Sequence, residues 1–263
     1  MLKLADNHVH TQWSWDARHG DMKESCRRAV ELGLPSITFT EHADWIRGPQ
    51  SVFDVEGYFR CIESCRTAHP DLRVLSGVEM GEPHLFPEEA RTLLSAPFDR
   101  VLASVHCVEW EGRSTDASDP GFLSPSNVDA VFHLYLREVL ALLESDQQFL
   151  VLAHLDYPKR NWPAEPGYED APYEEEFRAI LRAAAARDVA LEINTTRGGD
   201  PARFLCPGPM VLGWWFEEGG RAVSFGSDAH RPEAVAAGFD LAQRVVSEAD
   251  FRPHRDPASF WLR

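Results

Sequence analysis

Two stretches near opposite ends of the chain carry side chains that can hold a metal. Asp6-Asn7-His8-Val9-His10 sets two imidazoles two residues apart, and Phe225-Gly226-Ser227-Asp228-Ala229-His230 sets a carboxylate and an imidazole at the same spacing. On a strand, residues i and i+2 point to one face. His8 and His10 can therefore approach one ion together. A closed sheet would bring Asp228 and His230 to join them. The chain has 11 histidines, and six stand at the ends of strand-like runs or just beyond: His8, His10, His42, His106, His154 and His230. A lone strand histidine is ordinarily a packing residue. Six in corresponding places, joined by Glu79 and Asp228, point to a metal site at one mouth.

These residues need a scaffold that puts strand ends together. Strand-like runs cover residues 3–10, 36–40, 72–78, 100–105, 149–153, 189–193 and 222–225. Helical patterns alternate with them over 21–33, 54–68, 87–95, 126–144, 172–187, 209–218 and 232–248. Asp21 suits an N-cap, Ala29 and Val30 the inner side of the first helix, and Gly33 its stop. Strands alternating with helices imply a parallel sheet. In α/β barrels the C-terminal ends of the strands carry the chemistry. The stretch Glu111–Pro125 reads as a loop over that mouth, and the tail after Asp250 as irregular.

A chain of 263 residues suffices for one domain with a proper core. A single catalytic domain over 1–263 is expected. The formal charge of −16 opposes general binding to nucleic acid, which needs clustered Lys and Arg. It suits bound divalent cations and a cationic small substrate. No apolar run reaches membrane-spanning length, and no secretion signal is seen. Five cysteines, an odd count, point to reduced thiols and a cytoplasmic protein. Cys61 and Cys65 read as small packing residues. Nothing in the sequence specifies an oligomeric state.

The ordered set His8-Val9-His10, Glu41-His42-Ala43-Asp44, Gly77-Val78-Glu79, Ser104-Val105-His106, Ala153-His154-Leu155-Asp156 and Gly226-Ser227-Asp228-Ala229-His230 resembles the polymerase and histidinol phosphatase (PHP) family. The motifs run in the family's order over about residues 6 to 235. The resemblance implies a distorted (β/α)7 barrel, TIM-like, with a trinuclear metal centre. It further implies one ion held by His8, His10, Glu79 and Asp228. A second would be held by Glu79, His106 and His154, with Glu79 bridging, and a third by Asp16, His42 and His230. Asp16, in Thr11-Gln12-Trp13-Ser14-Trp15-Asp16, is similar to the histidinol phosphatase branch. A nitrogen and oxygen ligand set without thiolate suits two to three Zn²⁺, Mn²⁺ or Fe²⁺ ions over Mg²⁺.

Clustered metals lower the pKa of a bound water and clamp phosphoryl oxygens. The resemblance therefore implies a phosphomonoesterase in which a metal-bound hydroxide attacks L-histidinol phosphate. Arg160 and Arg197 resemble the arginines that grip the phosphate, a task suited to a planar bidentate fork. Glu79, Asp228, His230, Arg160 and Arg197 are the catalytic candidates. Lys159 is a weaker phosphate candidate. Glu109 and Asp44 suit an acidic wall for the alcohol end, and Trp13, Trp110 and Trp162 could stack on its ring. Glu82 is a nearby acid with no assigned role. Within the same fold, the alternative substrates are nucleotides or other small phosphate esters. A silent PHP module would be expected to lack ligands. A metal-dependent amidohydrolase would carry a strand-end lysine where Glu79 stands.

Overall fold

In the computed structural model, residues 4–165, 167–196 and 205–263 are described. Ten strands are seen among them: β1 (Asp6–Val9), β2 (Ser36–Ala43), β3 (Arg73–Gly81), β4 (Arg100–Ser104), β5 (Cys107–Trp110), β6 (Arg113–Asp116), β7 (Val151–Leu152), β8 (Ala190–Asn194), β9 (Ala222–Gly226) and β10 (Trp261–Leu262). The α-helices are α1 (Met22–Leu32), α2 (Val55–Ala68), α3 (Pro87–Leu93), α4 (Val128–Glu144), α5 (Glu174–Ala186), α6 (Pro209–Glu217) and α7 (Phe239–Glu248). The main sheet runs β1-β2-β3-β4-β7-β8-β9-β10, and every pair from β1 to β9 is parallel. These are the seven expected strands in chain order, curled into the expected TIM-like barrel wall.

Strand alternation sorts the side chains into layers. The outer faces of β1 to β3, with Val9, Ile37, Phe39, Val74 and Val78, pack on α1 and α2 through Met22, Cys26, Tyr58 and Ile62. On the other side, Ala103, Leu152, Leu191, Ile193, Val223 and Phe225 meet α4 to α7. A small group inside the sheet, Leu102, Val151, Ala153 and Ala190, fills the barrel below the mouth. Such burial on both faces is the rule for parallel sheets.

The barrel seam lies at the mouth. The Asp228 N–H donates to the His8 carbonyl at 2.8 Å, and the His10 N–H to the Ala229 carbonyl at 2.8 Å. The two stretches read first in the sequence are thus the two that close the wall.

Several boundaries differ from the sequence reading. Arg113–Asp116 is a strand paired antiparallel with β5, not loop. The connection is Glu111-Gly112, both at positive φ, a two-residue turn that matches strand twist. The C-terminal tail forms β10, which pairs antiparallel with β9 and sets Trp261 5.2 Å from the Phe225 ring. The final helical pattern is split: a short 3-10 turn at Pro232–Ala234, then Ala236 and Gly238 at positive φ, then α7. Asp21 caps α1 through the Glu24 N–H, and Gly33 ends it in the left-handed region, as expected. Val30, however, is exposed, because the buried face runs through Met22, Cys26 and Ala29.

Candidate metal centre

Glu79 is the hub. The β2–β3 register sets it directly beside His42, and the β3–β4 register beside Leu102. Its Oε1 lies 2.7 Å from His154 Nε2 and 3.3 Å from His106 Nε2. Its Oε2 lies 3.2 Å from His8 Nε2, 3.2 Å from His42 Nδ1 and 3.4 Å from His10 Nε2. One buried carboxylate therefore faces two separate sets of imidazoles. Burial alone would raise its pKa, but His8, His42, His106 and His154 hold it well below the usual range.

The seam supplies the next group. His8 and His10 bring their Nε2 atoms to 2.9 Å of each other. Asp228 Oδ1 lies 3.2 Å from His10 Nε2 and 3.7 Å from His8 Nε2. Asp228 and His154 are both non-glycine residues at positive φ, 52° and 25°. Such conformations cost energy and persist where surrounding contacts impose them. On the outer side, Asp16 Oδ2 lies 3.1 Å from His230 Nε2 and 3.5 Å from His42 Nε2. Four groups bring their donor atoms within 4.8 Å of one another: His10, His42 and His230; His8, His154 and Asp228; His8, His10 and Glu79; His42, Glu79 and His106. All nine expected ligand residues meet at one mouth.

Further polar residues, not read from the sequence, orient this set. His8 Nδ1 donates to Glu192 Oε1 at 2.6 Å, which turns the Nε2 lone pair toward the centre. The other Glu192 oxygen accepts from the His154 N–H at 2.9 Å. Gly226 is needed here, since a Cβ would sit 2.2 Å from Glu192 Oε1. Glu41 accepts from the Ser14 hydroxyl at 2.6 Å, and Ser14 Oγ stands 3.1 Å from His10 Nδ1. Asp6 accepts from the Ser227 N–H, the Ser227 hydroxyl and the Ala236 N–H, fastening the Asp228 loop to β1. Glu192 did leave a signal: it and Asn194 alternate along β8 in the way His8 and His10 do along β1.

The phosphate and wall candidates fare unevenly. Arg160 lines the cleft, with Nη2 2.6 Å from Asp228 Oδ2 and its guanidinium over the Tyr157 ring. Arg197 lies outside the described residues. Lys159 is buried and committed to the Asp156 carboxylate and the Leu205 carbonyl, so it is structural. Asp44 faces His106 Nδ1 at 3.3 Å and accepts from Trp15 Nε1 at 3.0 Å. Glu109 points to solvent from β5. Trp13, Trp110 and Trp162 pack against other side chains, whereas Trp15 is the tryptophan at the mouth. Glu82 has a role after all. It is buried, and its carboxylate accepts from the His106 N–H at 2.5 Å and the Cys107 N–H at 2.7 Å. Burial pushes it up to about 7.

The cleft above the cluster is small, about 80 Å³. Among the described residues, larger hollows elsewhere, such as one lined by Trp45, Val52 and Leu93, hold no comparable set of donors.

The chain is 28% identical over 259 residues to a probable histidinol-phosphatase of Clostridium acetobutylicum, covering 94% of each. It is 28% identical over 254 residues to the histidinol-phosphatase of Lactococcus lactis, covering 95% of this chain and 93% of that one. The crystal structure of the histidinol phosphate phosphatase from Lactococcus lactis, complexed with Zn, L-histidinol and phosphate, superposes with a TM-score of 0.83. Identity there is 27%, over 96% of this chain and 95% of that one. A putative histidinol phosphatase from Listeria monocytogenes shares the fold, with a TM-score of 0.72 at 18% identity. The PHP domain model matches residues 6–196, which take in β1 to β8 and most of the imidazole cluster, and the chain belongs to the PHP family.

Proposed function

We propose that this chain is a metal-dependent phosphomonoesterase that hydrolyses L-histidinol phosphate to L-histidinol and phosphate. The observation that carries this reading is Glu79, one carboxylate set between two groups of buried imidazoles. The donor set fits divalent metal. It consists of imidazole nitrogens and carboxylate oxygens turned toward common centres, with His8 held in the right tautomer by Glu192. The Nε2 atoms of His8 and His10, 2.9 Å apart, are close enough to share one ion.

We assign two to three ions of Zn²⁺, Mn²⁺ or Fe²⁺. His8, His10, Glu79 and Asp228 would hold one, Glu79, His106 and His154 a second, and Asp16, His42 and His230 a third. When bound, such ions neutralise phosphoryl charge and make water acidic enough to act at neutral pH. The protein's own part is positioning. Glu79 fixes the spacing of two sites. Asp228 orients Arg160 through a bond that a phosphate dianion can replace. Arg160 and Arg197 then grip the non-bridging oxygens. Glu41, Glu192, Asp6 and Glu82 hold the strand ends in register around them. The work is done by one catalytic unit over residues 1–263, with a small phosphate monoester as its partner. No described helix is long and apolar enough to cross a membrane. Five free thiols fit a cytoplasmic setting.

The test is phosphate release from a panel of monoesters by protein of measured metal content. L-histidinol phosphate should be hydrolysed with the highest kcat/KM. Equal or better turnover of nucleotides or sugar phosphates would leave a phosphatase but remove the named substrate.

A further inference from the structure

The alcohol end of the substrate needs its own recognition, and one cleft residue is placed for it. Four aspartates line the cleft: Asp16, Asp44, Asp116 and Asp228. Asp16 faces His42 and His230, Asp44 faces His106, and Asp228 faces His10. Asp116 has no imidazole within ion-pair range among the described residues. It ends β6, opposite Cys107, the residue after His106. Its neighbour Ala117 donates to the His106 carbonyl at 2.7 Å, so the hairpin is anchored at the metal cluster.

The Asp116 carboxylate is fixed and aimed. Oδ1 accepts from the Ser118 N–H at 2.8 Å, closing a local turn. Oδ2 accepts from Arg47 Nη2 at 2.6 Å and from the Tyr157 hydroxyl at 3.4 Å. Arg47 comes from the segment after β2 and lies over the Trp15 ring, 5.1 Å from its centroid. Asp116 and Arg47 are each about 25% exposed, so both can be reached from the cleft. An incoming cation that replaces the guanidinium on Oδ2 leaves Arg47 beside a second carboxylate, since Asp44 Oδ2 lies 3.8 Å from its Nε. Trp15, exposed at the same rim, then offers an aromatic face to the rest of the alcohol group.

Resting on the phosphomonoesterase reading above, we propose that Asp116 selects phosphate esters whose alcohol carries a positive charge. Arg47 stands in for that charge until the ester arrives. The substrate class is phosphorylated amino alcohols, of which L-histidinol phosphate is one.

The experiment compares kcat/KM for L-histidinol phosphate with that for uncharged-alcohol 4-nitrophenyl phosphate. It uses the metal-loaded wild type, Asp116→Asn and Arg47→Met. Metal content and melting temperature check that each variant is folded. L-histidinol binding, measured by calorimetry, gives a readout apart from turnover. The substrate ratio should fall at least tenfold in Asp116→Asn, chiefly through KM. L-histidinol should bind that variant at least tenfold more weakly. Arg47→Met should keep the ratio or raise it. If Asp116→Asn slows both esters equally, or leaves the ratio and L-histidinol binding intact, the selection role is wrong. If Arg47→Met slows both esters equally, the pair serves the phosphate and the proposal is likewise overturned. If wild type itself shows no preference for the cationic ester, the substrate reading has failed and this proposal with it.

Discussion

At the scale of single residues, the account depends on Glu79 and the arginines. Each Glu79 oxygen faces its own imidazoles, so Glu79→Gln should damage both neighbouring sites together. Metal content should fall, and kcat/KM should drop at least 100-fold. Glu89→Gln, on the exposed face of α3, is the proper control and should match wild type. Glu82 cannot serve as one, because it holds the His106 and Cys107 backbone. Equal losses at Glu79 and Glu89 would remove Glu79 from the centre. Arg160→Ala and Arg197→Ala should each retain metal. A charge-assisted pair at a phosphoryl group is worth on the order of 2–4 kcal/mol, so kcat/KM should fall roughly 30- to 1000-fold. Both L-histidinol phosphate and a neutral aryl phosphate should suffer, since the phosphate is common to them. Eight of the nine ligand candidates were legible because imidazoles and carboxylates recur at strand ends; Asp16, in a turn after β1, was legible only through the family resemblance. The roles of Glu41 and Asp116 were not, because neither position shows which way its carboxylate points, and the alternation of Glu192 with Asn194 along β8 was passed over. Trp15 was passed over for Trp13, two residues away, because the turn at 11–20 has no period from which to read direction.

At the scale of elements, the seam between β1 and the end of β9 sets the site. Asp6 ties it by accepting from Ser227 and Ala236. Burial raises its carboxyl to about 6, even with Ser227 and Ala236 as donors. Asp6→Ala would leave buried N–H groups without acceptors, each costing about 1–3 kcal/mol. The melting temperature should fall by roughly 5–10 °C, at about 2–4 °C per kcal/mol for a chain of this size. Calorimetry checks it, and an unchanged transition would show that the seam does not need Asp6. The elements themselves were largely readable: apolar runs ended by Gly or polar residues gave the strands, and Asp21 and Gly33 gave α1 its limits. The β5–β6 hairpin was hidden because Glu111-Gly112 lacks the usual Asn-Gly or Asp-Gly turn pair. The pairing of β10 was hidden because a two-residue strand has no period to read.

At the scale of the whole molecule, metal and proton compete for one cluster. Burial disfavours a charged His42, yet Asp44, Glu79 and Asp16 raise it to about 9. In metal-free protein that contribution to stability is fully present below the ordinary value near 6.5 and is lost as pH rises through 9. Metal binding needs the neutral imidazole, so it strengthens over the same window. The gap in melting temperature between loaded and metal-free protein should widen from pH 6.5 to pH 9. A constant gap would mean that these imidazoles do not release protons to the metal. The charge of −16 belongs to this scale too, since bound cations offset part of it. The most direct test joins metal content to chemistry. Purified protein is analysed for bound ions and assayed on L-histidinol phosphate before chelation, after chelation and after Zn²⁺, Mn²⁺ or Fe²⁺ is restored. Two to three ions per chain, loss of phosphate release with the metal and its return on reloading are the predicted result. Full activity in the metal-free protein, or no activity on L-histidinol phosphate in the fully loaded one, would contradict it.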